Sequence, residues 1–136
     1  MITAVDSSVL LDLLGPDPEF GPASAQALRT CLREGRLVAC EVVWAEVAGQ
    51  FSSPAEAEEI LAGARVEFDA IDRRTALAAA AAWREYRQRG GRRERVVADF
   101  LIGAHAQLQA DRLLTRDRGF YRAYFAALQL LDPTRA

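Results

Sequence analysis

Short apolar runs alternate with longer segments of helical pattern along the chain, and this alternation constrains the fold more than any other feature. The apolar runs have the length of β-strands and lie at 2–5, 37–40, 66–71, 112–115 and 128–131. The helical segments lie at 9–14, 23–34, 43–51, 54–63, 72–89, 96–110 and 119–125, and Ser7 or Ser8 is the predicted N-cap of the first. Strands that alternate with helices form parallel sheets, because each helix carries the chain back to the edge where the previous strand began. We therefore predict an α/β fold, a three-layer α/β/α sandwich with a central five-stranded parallel sheet, as a single domain over residues 1–136.

Charge is distributed unevenly along the chain. The net charge of −2 argues against a surface coated with basic residues. Six arginines and two glutamates nevertheless lie between Arg84 and Arg95, a local excess of +4 that leaves −6 for the remainder. We predict that Arg92, Arg93 and Arg95 hold phosphate groups at the rim of a binding crevice. The alternative is a solvated helix end followed by a flexible loop.

Cysteine spacing and the length of the apolar runs bear on location. The two cysteines, Cys31 and Cys40, have neither a zinc-binding nor a CxxC spacing. The N-terminus lacks the pattern of a secretory signal, and no apolar run approaches the roughly 18–20 residues of a membrane span. We predict a reduced, cytoplasmic protein that does not associate with membranes.

Four carboxylates occupy positions where a parallel sheet places its ligands. Asp6 ends the first predicted strand, and Asp117 follows the fourth by two residues. Glu46 lies in the helix after the second strand, and Asp99 in the first turn of the helix that precedes the fourth strand. Ligands bind beyond the carboxyl ends of such strands, near the point where the strand order reverses. The four side chains are therefore predicted to converge.

Each acid alone has a simpler explanation. Asp6 could be a helix N-cap and Asp99 a favourable charge at a helix N-terminus. Glu46 could be a solvated helix residue, and Asp117 a turn former. Together, however, four carboxylates in apolar contexts would repel one another unless a cation bound them. Hard oxygen ligands without a Cys/His set indicate Mg²⁺ or Mn²⁺ rather than zinc.

Four motifs around these acids resemble those of the PIN-domain ribonucleases, and in particular the VapC toxins of bacterial toxin–antitoxin pairs. They are Ala4-Val5-Asp6-Ser7-Ser8-Val9-Leu10, Val43-Trp44-Ala45-Glu46-Val47, Ala98-Asp99-Phe100-Leu101-Ile102-Gly103-Ala104-His105-Ala106 and Leu114-Thr115-Arg116-Asp117-Arg118-Gly119-Phe120. The resemblance runs from residue 4 to residue 120 and so covers nearly the whole chain.

The resemblance implies a metal-dependent endoribonuclease that hydrolyses RNA through metal-activated water. It implies Asp6, Glu46, Asp99 and Asp117 as catalytic carboxylates, the three aspartates among them as metal ligands. It implies supporting hydroxyl groups on Thr115 and on Ser7 or Ser8. Its expected partners are an RNA substrate, bound with help from Arg92, Arg93 and Arg95, a small VapB-like antitoxin and a second copy of the chain in a homodimer.

Some details of this resemblance leave alternatives open. Gly119 and Phe120 stand where some PIN domains carry a further acid, so one metal or two are both compatible with the sequence. The only histidine, His105, lies on an apolar helix and is predicted to be packed rather than catalytic. The aromatic residues 120, 121, 124 and 125 are predicted to belong to the core, with stacking on RNA bases as the alternative.

Other proteins also place an aspartate after the first strand of a parallel sheet. Haloacid-dehalogenase-like phosphatases and receiver domains use a lysine, as do P-loop NTPases, and all 17 lysine and arginine residues of this chain are arginine. Those three classes are therefore excluded. A non-catalytic binding module and a DNA nuclease of the same fold remain as alternatives.

Overall fold

A computed structural model describes residues 1–15, 17–91 and 95–135. The strands are β1 (Ile2–Val5), β2 (Arg36–Ala39), β3 (Val66–Phe68), β4 (Arg112–Leu114) and β5 (Leu130–Leu131). The helices are α1 (Ser7–Leu14), α2 (Gly21–Glu34), α3 (Glu41–Ala48), α4 (Pro54–Gly63), α5 (Arg73–Gln88), α6 (Val97–Gln109) and α7 (Arg118–Tyr124). The strands form one sheet in the order β3-β2-β1-β4-β5, in which every neighbouring pair is parallel. The predicted fold class is confirmed.

The strand order places β1 at the centre of the sheet, between β2 and β4. Ala4 lies opposite Val38 on one side and opposite Leu113 on the other. The chain first adds strands on the β2 side and then crosses to the β4 side, so the order reverses between β1 and β4. A crevice opens at such a reversal, beyond the carboxyl ends of the two strands. The residues that directly follow β1 and β4 therefore face it.

The central strands are continuous apolar runs in the sequence because their side chains are buried on both faces of the sheet. Thr3, Ala4 and Val5 of β1 are all buried. The aromatic residues 120, 121 and 125 are buried as well, which confirms their assignment to the core. Gly103 allows α6 to approach this cluster closely, because a Cβ atom there would collide with the ring of Phe125.

Several predicted boundaries are wrong by a few residues, among them the start of α2 and both ends of α3. β3 ends at Phe68 rather than at residue 71, because Asp69 turns to the ring of His105, with 2.8 Å between Oδ2 and Nε2. β5 begins at Leu130 rather than at 128, because the Leu128 N–H closes a turn onto the carbonyl of Phe125. The N-cap of α1 is Asp6 rather than a serine.

The remaining helix starts follow local chemistry. Ser53 caps α4 by accepting a hydrogen bond from the Glu56 N–H at 3.1 Å, and Pro54 occupies the first helical position. Asp72 caps α5 through the Thr75 N–H at 2.8 Å. In the part of the chain that the structure describes, no helix has the length and apolar character needed to cross a membrane.

Candidate active site

Asp6 stands at the centre of the crevice, between β1 and β4. Its N–H donates to the carbonyl of Leu114 at 3.0 Å, which continues the β1–β4 ladder by one step. Its Oδ2 accepts a 2.7 Å hydrogen bond from Thr115 Oγ1. Burial raises the pKa of Asp6; the Thr115 bond opposes this rise, and the charges of Asp117 and Asp99 add to it. The carboxylate is thus held in place in surroundings that disfavour its charge.

The Thr115 hydroxyl connects two of the acids. It donates to Asp6 and, through its oxygen, accepts a 2.9 Å hydrogen bond from the Asp117 N–H. A hydroxyl group has a single proton to donate, and here Thr115 donates it to Asp6, so the Thr115 oxygen acts as the acceptor for the Asp117 N–H. Thr115 therefore orients Asp6 and the start of α7 together.

Glu46 lies at the rim of the crevice, on α3. Its side chain is in contact with solvent, but the surrounding protein atoms shield it in part from water, which raises its pKa. The charges of Asp6 and Asp99 raise this pKa further. A hydrogen bond from the Ser7 side chain opposes the rise. The same Ser7 hydroxyl lies 3.5 Å from Asp6 Oδ1, at the limit of a hydrogen bond, so Ser7 stands between the two acids.

Asp99 and Asp117 are joined by one guanidinium group. Arg95 Nη1 lies 2.6 Å from Asp117 Oδ2 and 3.9 Å from Asp99 Oδ1. Asp99, the third residue of α6, also accepts a 3.2 Å hydrogen bond from the Val96 N–H at the N-cap, and its charge lies in the first turn of the helix, as the simpler explanation predicted. This contact uses Oδ2 and leaves Oδ1 directed toward Arg95.

The structure thus brings Asp6 within electrostatic reach of the other three predicted acids, Glu46, Asp99 and Asp117. Ser7 and Thr115 lie beside Asp6 in the same group. Ser8 is not part of this group, because its hydroxyl is buried without a hydrogen-bond partner among the described residues. Arg92 and Arg93 lie outside the described residues. His105 is buried and paired with Asp69, in agreement with its predicted structural role.

Two further features near the site escaped the sequence analysis. Tyr121 is buried beneath the acids, where burial, together with the charges of Asp6, Asp99 and Asp117, raises its pKa far above the usual value. The other is a bidentate ion pair between Arg116 and Asp12, with nitrogen–oxygen distances of 2.7 and 2.9 Å. The only sequence signal for the pair is the spacing of Asp12 from Val9, which places it on the buried face of α1.

The donor set suits a hard divalent cation, because it consists of carboxylates that destabilise one another in partly buried surroundings. As they stand, however, no three acidic, histidine or cysteine side chains among residues 1–15, 17–91 and 95–135 form a group that would hold a metal ion. The arginine between Asp99 and Asp117 is one visible reason. The acidic side chains are therefore chemically suited to a divalent cation, but they would have to move closer together to bind it.

The chain is therefore an α/β protein with a parallel sheet and a cluster of acidic side chains beyond the carboxyl ends of β1 and β4. The family model for the PIN domain matches residues 3–126, and the chain belongs to this family. No curated protein sequence matches the chain.

Several solved structures share the fold. A chain of VapBC2 from Rickettsia felis, bound to a DNA fragment from their promoter, superposes with a TM-score of 0.76 at 16% identity, over 97% of this chain and 98% of that one. For VapBC-1 from nontypeable Haemophilus influenzae the TM-score is 0.73 at 19% identity, over 99% and 100%. For FitAcB from Neisseria gonorrhoeae it is 0.68 at 21% identity, over the full length of both chains.

Proposed function

We propose that this protein is a Mg²⁺- or Mn²⁺-dependent endoribonuclease that acts as the toxin of a VapBC-type toxin–antitoxin pair. The observation that carries the proposal is the convergence of Asp6, Glu46, Asp99 and Asp117 at the switch point of a PIN-domain sheet. The structural neighbours come from VapBC and FitAcB structures, which supports a small VapB-like antitoxin as partner. A homodimer and a cytoplasmic location belong to the same proposal.

Asp6, Asp99 and Asp117 would hold the metal ion. When bound, such an ion supplies the acidity that lets water attack phosphorus and neutralises charge on the phosphate. Thr115 keeps Asp6 directed into the crevice by its 2.7 Å hydrogen bond. Glu46, whose pKa is raised, is assigned to receive a proton at its carboxylate from the attacking water.

Arginines near the crevice would hold the RNA backbone. Arg92, Arg93 and Arg95 precede α6, the helix that carries Asp99 in its first turn. Guanidinium groups bind phosphate oxygens in two-pronged hydrogen bonds, which fix the position of a strand without reading its sequence. These residues are therefore assigned to RNA affinity and not to the chemical step.

The reaction is tested with purified, antitoxin-free protein and a broad panel of cellular RNAs. We expect cleavage with Mg²⁺ or Mn²⁺, none in EDTA, and products with 5′-phosphate ends. Asp6→Asn and Asp99→Asn should each abolish cleavage, Glu46→Gln and Asp117→Asn should act similarly, and Thr115→Val should be milder. Expression of the wild-type chain should arrest bacterial growth.

Asp111→Asn is a matched control. Asp111 directly precedes β4 and Asp117 follows it, so the two aspartates lie beyond opposite ends of the same strand. It should cut RNA like the wild type. Cleavage that persists in EDTA, or in Asp99→Asn, contradicts the metal mechanism. If the protein folds and binds metal but cleaves no RNA, the non-catalytic binding module is favoured. If it cleaves DNA alone, the DNA nuclease is favoured.

A further inference from the structure

Arg95 contacts the acidic site although its side chain remains partly exposed to solvent. Its Nη1 forms a 2.6 Å ion pair with Asp117 Oδ2 and lies 3.9 Å from Asp99 Oδ1. Its guanidinium carbon also lies 4.3 Å from the ring centroid of Phe120, within the range of a cation–π contact. These interactions together hold one positive charge between two carboxylates, one in the first turn of α6 and the other at the N-cap of α7.

This position conflicts with metal binding at the same carboxylates. Mg²⁺ requires oxygen ligands at about 2.0–2.1 Å in a near-octahedral arrangement. The Asp117 oxygen that faces Arg95 is already engaged at 2.6 Å, and a second cation beside it would be repelled by the guanidinium. Arg95 and a divalent ion therefore compete for Asp99 and Asp117.

Arg95 has room to leave. Its side chain is 31% exposed, and it lines a cavity of about 540 Å³ together with Tyr86, Val96 and Val97. An ion pair exposed to this degree is held by a modest free energy, because water screens the charges and competes for the hydrogen bonds. Displacement of Arg95 by a doubly charged ion is thus physically feasible without a change in the fold.

We propose that Arg95 is an internal counter-ion of the site, one that a divalent metal must displace from Asp117 and Asp99 in order to bind. This inference rests on the proposed function. In the metal-free protein Arg95 partly relieves the repulsion between carboxylates. In the metal-bound protein the guanidinium is released and becomes available to a phosphate of the RNA. Arg95 thereby sets the metal concentration at which the site fills.

The test is the affinity for Mn²⁺ of Arg95→Gln, which removes the charge and keeps much of the side-chain length. Isothermal titration calorimetry on the whole, antitoxin-free protein should show Mn²⁺ binding about two- to fivefold tighter than in the wild type, the range that corresponds to one exposed ion pair. Arg122→Gln removes the same charge from an exposed position on α7 and should leave the affinity unchanged. An unchanged or weaker affinity in Arg95→Gln overturns the proposal.

A measurement on the wild type keeps the proposal testable if Arg95→Gln does not fold. Assigned NMR signals of the Arg95 side chain should show faster hydrogen exchange when Mg²⁺ is added, because the guanidinium leaves its ion pair. Unchanged exchange at saturating Mg²⁺ means that Arg95 stays in place and overturns the proposal.

The proposed function fails in a different way. If the wild type binds no Mn²⁺, or if Asp6→Ala/Asp99→Ala binds it equally well, the acids are not the metal site at all. If binding depends on those acids but Arg95→Gln leaves it unchanged, only the role of Arg95 is wrong.

Discussion

The ionisation of Asp6 opposes folding of the metal-free protein. Burial raises its pKa above the usual value for aspartate, and the pKa of Glu46 beside it is raised in the same direction. A group with a raised pKa in the folded state stabilises the protein fully below its unfolded-state pKa, and this stabilisation is lost as the pH rises through the folded-state value. At neutral pH both carboxylates therefore lower the free energy of unfolding.

We predict that Asp6→Asn raises the melting temperature in EDTA at neutral pH by about 3–5 °C, or about 1 kcal/mol. The wild type should become more stable as the pH falls from 8 toward the raised pKa, and Asp6→Asn should lack part of that gain. Thermal scans from pH 5 to 8 measure both effects, with Glu59→Gln at an exposed position of α4 as the control. A lower melting temperature with unchanged pH dependence would show that the charge is well compensated.

At the scale of elements, an ion pair ties the loop after β4 to the first two helices. Asp12 on α1 is buried, accepts a 3.0 Å hydrogen bond from Ser24 on α2, and receives both bonds of Arg116. The Arg116 guanidinium carbon also lies 4.1 Å from the ring centroid of Phe20. Since Arg116 stands between Thr115 and Asp117, this anchor fixes the segment that carries two site residues.

We predict that Asp12→Ala lowers the free energy of unfolding by about 2–4 kcal/mol, because it leaves a partly buried guanidinium and the Ser24 hydroxyl without their acceptor. Glu67→Ala removes the partner of Arg36 from an exposed ion pair and should cost less than about 1 kcal/mol. Urea unfolding compares the two. Equal losses would mean that the Asp12 pair contributes no more than a surface pair.

The elements themselves follow from sequence periodicity, but their side-chain partners do not. Hydrophobic spacing and turn residues predict each described strand and each described helix to within a few residues. The proximity of the acids follows as well, because the carboxyl ends of parallel strands share one edge. Arg116 and Asp12, by contrast, are 104 residues apart, and no local pattern reveals that they meet. Arg95 belongs to a basic stretch whose composition predicts that it faces RNA, and only the fold shows that it faces Asp117.

At the scale of the whole molecule, a net charge of −2 hides a separation of acidic and basic regions. RNA binding through the basic stretch should release counter-ions and so weaken as salt increases. We predict that Arg92→Ala/Arg93→Ala weakens RNA binding and flattens the slope of log affinity against log salt by roughly one unit for each phosphate that these arginines bind in the wild type. Fluorescence anisotropy with a labelled RNA measures it. An unchanged slope would mark these arginines as ordinary surface residues.

Metal binding should stabilise the whole fold, because only the folded chain brings the acids together. A ligand that binds the folded state alone adds roughly 1.4 kcal/mol at ten times its dissociation constant. We predict that millimolar Mn²⁺ raises the melting temperature relative to EDTA. The Asp6→Ala/Asp99→Ala variant should show no such rise. An equal rise in that variant would locate the bound metal elsewhere.

The bond between Thr115 and Asp6 spans 109 residues of chain. Loops of this length close late, because the entropy of bringing their ends together must be offset by contacts that already exist. A polypeptide that leaves the ribosome from its N-terminus has Asp6 exposed early, yet Thr115 emerges only after a further 109 residues have been made. A nascent chain that ends before β4 therefore lacks the Thr115–Asp6 bond and Asp117, and the acidic site is completed only after β4 has joined β1.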